Sequence, residues 1–140
     1  MTVAYINTWT PGNKTELDAF VDDINSNLAA SGFKVAARAA TTAALAAHTA
    51  TGALLRANAN GALAAQDGIT LVAGERLLVK NEGANNTSVE NLVYTVDQVG
   101  TAGTPWVLRR ANDFDVSAEI TGGTRVHGDE GPENGGRNWY

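Results

Sequence analysis

The sequence predicts a mainly β fold: a small antiparallel β-sandwich or barrel-like module over residues 35–140, with an N-terminal amphipathic helical arm over 1–34. Three observations predict it. Between Asp67 and Asp115 lie four short apolar runs, Ile69–Val72, Leu77–Val79, Leu92–Val99 and Pro105–Leu108, separated by Gly- and Asn-containing turns. Strand-length runs of Val, Ile, Leu, Thr, Tyr and Trp punctuated in this way read as an antiparallel meander. A stripe of 3.6-residue period occurs near the N-terminus, and a long Ala-rich tract joins the two regions.

Val3–Ile6 is a short apolar run of edge-strand length, and Trp9-Thr10-Pro11-Gly12 is a turn. The helix follows, over about 14–30. Asn13 stands at its N-cap with Glu16 completing a capping box. Leu17, Phe20, Val21, Ile24 and Leu28 fall on one face, with Asp18, Asp22, Asp23 and Asn25 facing away. Ser31-Gly32 ends it. The stripe packs either on its own sheet or against another polypeptide, a sister copy or a neighbour. It is the first candidate interface.

The tract from Val35 to Ala65 is mixed. Ala propensity favours helix over 35–45. Thr41-Thr42, Thr49-Ala50-Thr51-Gly52 and Asn58-Ala59-Asn60-Gly61 break that pattern, and 53–57 reads as a strand closed by Asn60-Gly61. Small side chains here permit close approach of other backbone. In the meander, Gly74 lets Ile69–Val72 reverse into Leu77–Val79. Arg76 and Lys80 then share a face opposite Leu77 and Val79. Trp106 is the largest available core filler. Further on, Asn112–Asp115 is a turn, Val116–Glu119 a single helical turn and Thr124–His127 a last strand. Residues 128–140 read as loop, ending in Trp139-Tyr140. These two aromatics either tuck against the sheet or lie in an interface, where Trp and Tyr are favoured.

Composition narrows the function classes. The net charge of −5 and the lack of any basic stripe argue against a nucleic-acid partner. No cysteine is present, which excludes disulfides and thiolate metal sites. No apolar run approaches membrane-spanning length and no leader is visible, so a soluble protein without a membrane partner is expected. Ala inflates the 44% hydrophobic content and aromatics are only 6%, a thin core that a partner surface would supplement.

No catalytic constellation emerges. There is no Gly-x-Ser-x-Gly, and Ser26, Ser31, Ser88 and Ser117 lie in turn-like or helix-end contexts. His48 and His127 are far apart and show no ligand spacing. Asn112, Asp113, Asp115 and Glu119 resemble a hard-cation set in composition but not in spacing, and read better as side-chain-to-backbone turns. Asp129, Glu130 and Glu133 read as a solvated loop. Arg109-Arg110 suits ion pairing with the acidic turn or with a neighbouring chain. Catalytic, cofactor-binding and metal-ligating residues are therefore all expected to be absent, and the protein to be no enzyme.

Residues 67–81, Asp-Gly-Ile-Thr-Leu-Val-Ala-Gly-Glu-Arg-Leu-Leu-Val-Lys-Asn, resemble a segment common in structural proteins of tailed-bacteriophage virions, particularly tail-fibre and head-decoration proteins. Further stretches match in order: Arg38–Thr42, Asn58–Leu63, Val93-Tyr94-Thr95-Val96, Trp106 with Arg109–Asp115, Ala118-Glu119-Ile120 with Gly123, and Glu130-Gly131 with Asn134 and Trp139. The resemblance covers about 35–140. The loop 83–91 departs from the family's short Asn-Gly turn, and residues 1–34 match no family segment. The resemblance implies a non-enzymatic virion subunit on the particle exterior, passing through the host cytoplasm during assembly. Because the chain stops just after the module, a capsid-decoration or head-fibre subunit is expected ahead of a receptor-binding fibre. It would form homotrimers and bind the major capsid or tail protein, without cofactors. Read from the apolar stripe and the terminal aromatics, not from the resemblance, its interface would use Leu17, Phe20, Val21, Ile24, Leu28, Trp139 and Tyr140. The alternative is a tail-fibre or tail accessory protein acting as a host-surface glycan-binding adhesin module.

Overall fold

A computed structural model describes residues 18–23 and 32–140. The expected edge strand at 3–6, and Leu17, Ile24 and Leu28 of the stripe, lie outside the described residues. Residues 18–23 are helical, as the stripe predicts. The rest is mainly β with little helix. In chain order the strands are β1 (Ala39–Ala40), β2 (His48–Thr51), β3 (Leu54–Ala57), β4 (Arg76–Leu78), β5 (Val93–Gln98), β6 (Val107–Arg110), β7 (Val126–Gly128) and β8 (Arg137–Trp139). Six form one sheet in the order β1-β4-β5-β6-β3-β2, and β7-β8 form a separate hairpin. Every pairing is antiparallel except β1 with β4.

The meander is observed as β4-β5-β6. Its first expected strand differs. Residues 69–72, expected as a strand, bury Leu71 and expose Val72 but form no ladder. Local bonds use their backbone instead. Ile69 exchanges hydrogen bonds with Gln66 across Asp67-Gly68, where both central residues have positive φ, and Val72 N–H donates to the Glu75 carboxylate.

The Ala-rich tract is not helical. Residues 32–41 form an extended strap between the two sheets. Lys34 and Ala37 donate to the Arg125 and His127 carbonyls beside β7, and Arg38 and Thr41 donate to Arg76 and Leu78 of β4. Ala37, Ala39 and Ala40 are fully buried. Helix would have satisfied these backbone groups internally. The strap satisfies them against two neighbours, and only small side chains leave room for that. Beyond β1, residues 41–47 carry the chain to β2, at the opposite edge of the same sheet. The hairpin turn falls at Gly52-Ala53, joining β2 to β3, rather than at Asn60-Gly61.

Two apolar clusters hold the fold. Leu55, Leu63, Leu71, Leu77, Val79, Tyr94, Val96, Trp106 and Leu108 form the larger one, and Trp106 is the filler the sequence predicts. Ala37, Ala40, Leu78, Val93, Ala111, Phe114 and Val126 form the second, with Leu92 and Trp139 packed on it. Adjacent residues of one strand enter different clusters, Leu77 and Leu78 on β4, Val93 and Tyr94 on β5. Side chains alternate across a strand, so this end of the sheet is covered on both faces. That is why its strands read as continuous apolar runs. Each fully buried Leu or Val contributes about 1.5–3 kcal/mol.

The C-terminal residues read as loop contain strand β8. Asn134 organises the approach: its N–H donates to the Asp67 carboxylate and its side-chain amide to the Ala40 and Thr41 carbonyls. A Cβ at Gly131 would lie 2.2 Å from Asp67 Oδ2, so the loop closes only with glycine there. Ser117–Glu119 form the expected single turn, in 3₁₀ form.

Candidate functional site

The interface residues named from sequence divide into groups. On the helical turn 18–23, Phe20 is half-buried and Val21 is 45% exposed. Trp139 and Tyr140, adjacent in sequence, have opposite fates. The Trp139 ring packs on the second cluster with Lys80 Nζ 4.7 Å from its centre. Its indole N–H meets no acceptor among the described residues, so packing and the cation hold the ring. Tyr140 is 87% exposed.

Tyr140 lies beside residues outside the apolar stripe. Arg125 sits between two rings, 5.4 Å from the centre of Phe33 and 5.2 Å from that of Tyr140. Phe33 is 50% exposed, and Val35 on the same strap is 66% exposed. β7 places Arg125, the strap places Phe33 through its bridge to Arg125, and β8 delivers Tyr140. The sequence signal was weak because the aromatics are scattered singly. Only the strap's docking on β7 joins them.

The charged groups read as turns or ion pairs behave locally. Arg76 makes two hydrogen bonds to the Asp113 carboxylate, at 2.9 and 3.1 Å. It takes the acidic-turn role considered for Arg109-Arg110, while Arg109 meets Asp97 at 3.5 Å in an exposed position. The side chain that accepts backbone N–H groups in this segment is that of Glu119, from Asp115 and Val116, rather than an Asp or Asn as expected. Glu130, in the loop read as solvated, reaches Arg38.

The other site is one that sequence spacing did not find. His48 opens β2, and Glu82 and Glu90 flank the β4–β5 loop. His48 Nε2 lies 3.1 Å from Glu90 Oε2, across 42 residues of sequence. One ligand-competent atom from each of His48, Glu82 and Glu90 lies within 4.8 Å of the others. His48 Nδ1 is 2.8 Å from the Ala46 carbonyl, and Glu82 Oε1 accepts the Leu45 N–H. The ring rests on Trp106, with centroids 5.8 Å apart. Burial opposes charge on His48, but the Ala46 carbonyl and the carboxylates of Glu90 and Glu82 outweigh it and raise its pKa. The loop is shaped for this contact. Gly83, Asn85 and Asn86 take positive φ, and Asn91 clamps its base by bonding to Glu82 and Asn86. The two loop asparagines tolerate that geometry better than most residues. An open cleft lined by Ala46, Ala47, Ala57, Asn58 and the edge of Trp106 lies nearby. Trp106 itself is 3% exposed and has no open ring face on which a sugar could stack.

Compared with known proteins, the chain matches no family model, no curated sequence and no solved structure.

Proposed function

We propose that this chain is a non-enzymatic structural subunit of a tailed-phage virion, of the capsid-decoration or head-fibre type, which associates with its own copies and with the shell. The observation that carries the association is the convergence of Phe33 and Tyr140 on Arg125, with Val35 exposed two residues further along the strap. Aromatic residues and arginine are enriched at the cores of protein interfaces, and a polar–aromatic surface of this kind is suited to one. The strap that supplies Phe33 and Val35 follows directly on the arm whose turn exposes Val21, so both apolar features belong to the N-terminal part of the chain. β2 and β8 are strands with an open edge among the described residues, and open edges template pairing with another chain. The phage assignment itself rests on the ordered resemblance over 35–140.

The reading includes a barrel-like curl of the large sheet. Five spacings of about 4.8 Å make a flat six-stranded sheet about 24 Å wide. The link from Ala40 to His48 spans about 29 Å only when fully extended, and it bends at 42–43 and 46–47. A curled sheet shortens the span that this bent link has to cover.

The test is binding of the purified chain to particles of the encoding phage that lack it. Wild-type protein is expected to bind at a fixed stoichiometry, and the double variant Val35→Ser/Tyr140→Ser to bind at least tenfold more weakly while keeping its fold. Failure of folded wild-type protein to bind heads or tails would remove the reading. Saturable binding to host polysaccharide on a glycan array would favour the adhesin alternative instead.

A further inference from the structure

We propose that His48, Glu82 and Glu90 form a binding site for a divalent transition-metal ion of the Zn²⁺ class, and that the ion clips the β4–β5 loop to the start of β2. The inference goes beyond assembly and stands independently of it.

The donor set is one imidazole nitrogen and two carboxylates, with ligand atoms within 4.8 Å of one another. Zinc takes His nitrogen at about 2.0–2.1 Å and carboxylate oxygen at about 2.0–2.2 Å. The 3.1 Å between His48 Nε2 and Glu90 Oε2 is close to the separation of two ligands on one such ion. Glu82, its Oε1 held by the Leu45 N–H, supplies the third ligand atom, a carboxylate oxygen within 4.8 Å of the other two. With no sulfur available, the set suits Zn²⁺, Co²⁺ or Mn²⁺ rather than soft ions such as Cu⁺.

Two features mark these groups as ligands rather than a simple ion pair. The first is the tautomer. The Ala46 carbonyl can only accept, so the neutral ring carries its proton on Nδ1 and directs the Nε2 lone pair at the carboxylates. Metal-binding histidines are oriented in just this manner by a backbone carbonyl or carboxylate on the other nitrogen, and the Leu45 N–H on Glu82 orients that carboxylate in turn. The second is unbalanced charge. Glu82 is 6% exposed, and among the described residues neither Glu82 nor Glu90 pairs with a lysine or arginine. One imidazole, even protonated, carries half the charge of two carboxylates, and the neighbouring Arg110 engages the Tyr94 hydroxyl and forms an ion pair with neither. A divalent cation balances both. The three protein ligands leave a fourth position to water.

The experiment uses the metal-stripped full chain, titrated with Zn²⁺ by calorimetry and with Co²⁺ by visible absorption. One equivalent is expected to bind, with a Co²⁺ ligand-field band that Zn²⁺ abolishes, and with slower amide hydrogen exchange over 45–48 and 82–91. His48→Asn retains an N–H for Ala46 but loses the Nε2 ligand. It and Glu90→Gln are each expected to weaken binding at least about tenfold. His127→Asn, which alters the other histidine, is expected to bind as wild type does. If His48→Asn does not fold, Glu90→Gln, at a half-buried loop position, decides. Absence of saturable Zn²⁺ binding by the wild-type chain would overturn the proposal. So would binding that survives in Glu90→Gln and is lost in His127→Asn.

Discussion

Asp67 stands where three segments meet. It makes a tight turn with Gly68 at positive φ, its carboxylate accepts the N–H groups of Glu133 and Asn134, and Asn134 reaches on to the end of β1. Removing the carboxylate leaves the buried Asn134 N–H unpaired, which costs about 1–3 kcal/mol. Asp67→Ala is therefore expected to lower the urea midpoint by that equivalent without changing the slope, while Asp67→Asn, which tolerates positive φ and keeps one acceptor, loses less. Little of this was legible beforehand. Asp67-Gly68 is a turn pair in any sequence, but its clients lie 67 residues away, and nothing in the local pattern marks them.

Glu75 offers a test by pH. The Val72 N–H, chiefly, holds its carboxyl below its ordinary pKa against the opposing effect of burial, with the Arg38 guanidinium adding to the lowering. A depressed carboxyl contributes stability above the usual carboxylate range and loses it as pH falls through its own lower value. Thermal melts between pH 6 and 3 are expected to show the wild-type midpoint falling more steeply than that of Glu75→Gln below the usual carboxylate range. Parallel curves would contradict the assignment.

The strap is the element that most changes how the sequence is read. Alanine at 37, 39 and 40 looks like helix propensity, and in isolation it is. In the fold, alanine is used for its size, because the strap's backbone lies between β4 and β7 and its Cβ atoms point into two filled clusters. Ala40→Leu is expected to cost about 1–3 kcal/mol by overpacking, measurable by chemical denaturation. The same change at the exposed Ala43 or Ala44 is expected to be nearly neutral. The β4–β5–β6 meander was legible because its apolar runs and turns are local signals. The strap and β8 were not, because each is defined by the strand it lies beside. The same reasoning covers the site residues. Trp139 and Tyr140 were visible as terminal aromatics, yet only the register of β8 decides that one is packed and the other displayed. His48, Glu82 and Glu90 lack the short ligand spacing that sequence motifs require, since the 41–47 crossover and a loop bring them together.

At the scale of the whole molecule, the described core is spread over two modest clusters rather than one large one, and the largest aromatic exposure among the described residues is that of Tyr140, beside Arg125 and the strap's Phe33. A fold built this way keeps its body β-rich and leaves Phe33 and Val35, at the start of the strap, exposed while Ala37, Ala39 and Ala40 are buried. The proposed role follows from that distribution: docking and association, with the charged side chains engaged in shaping turns. The most direct measurement is sedimentation equilibrium of the full chain across a wide concentration range. The account predicts a stable self-associated species, a trimer of 14.6 kDa subunits in the head-fibre form, which Val35→Ser/Tyr140→Ser shifts toward monomer. A folded wild-type chain sedimenting as a single 14.6 kDa species at every concentration would contradict it.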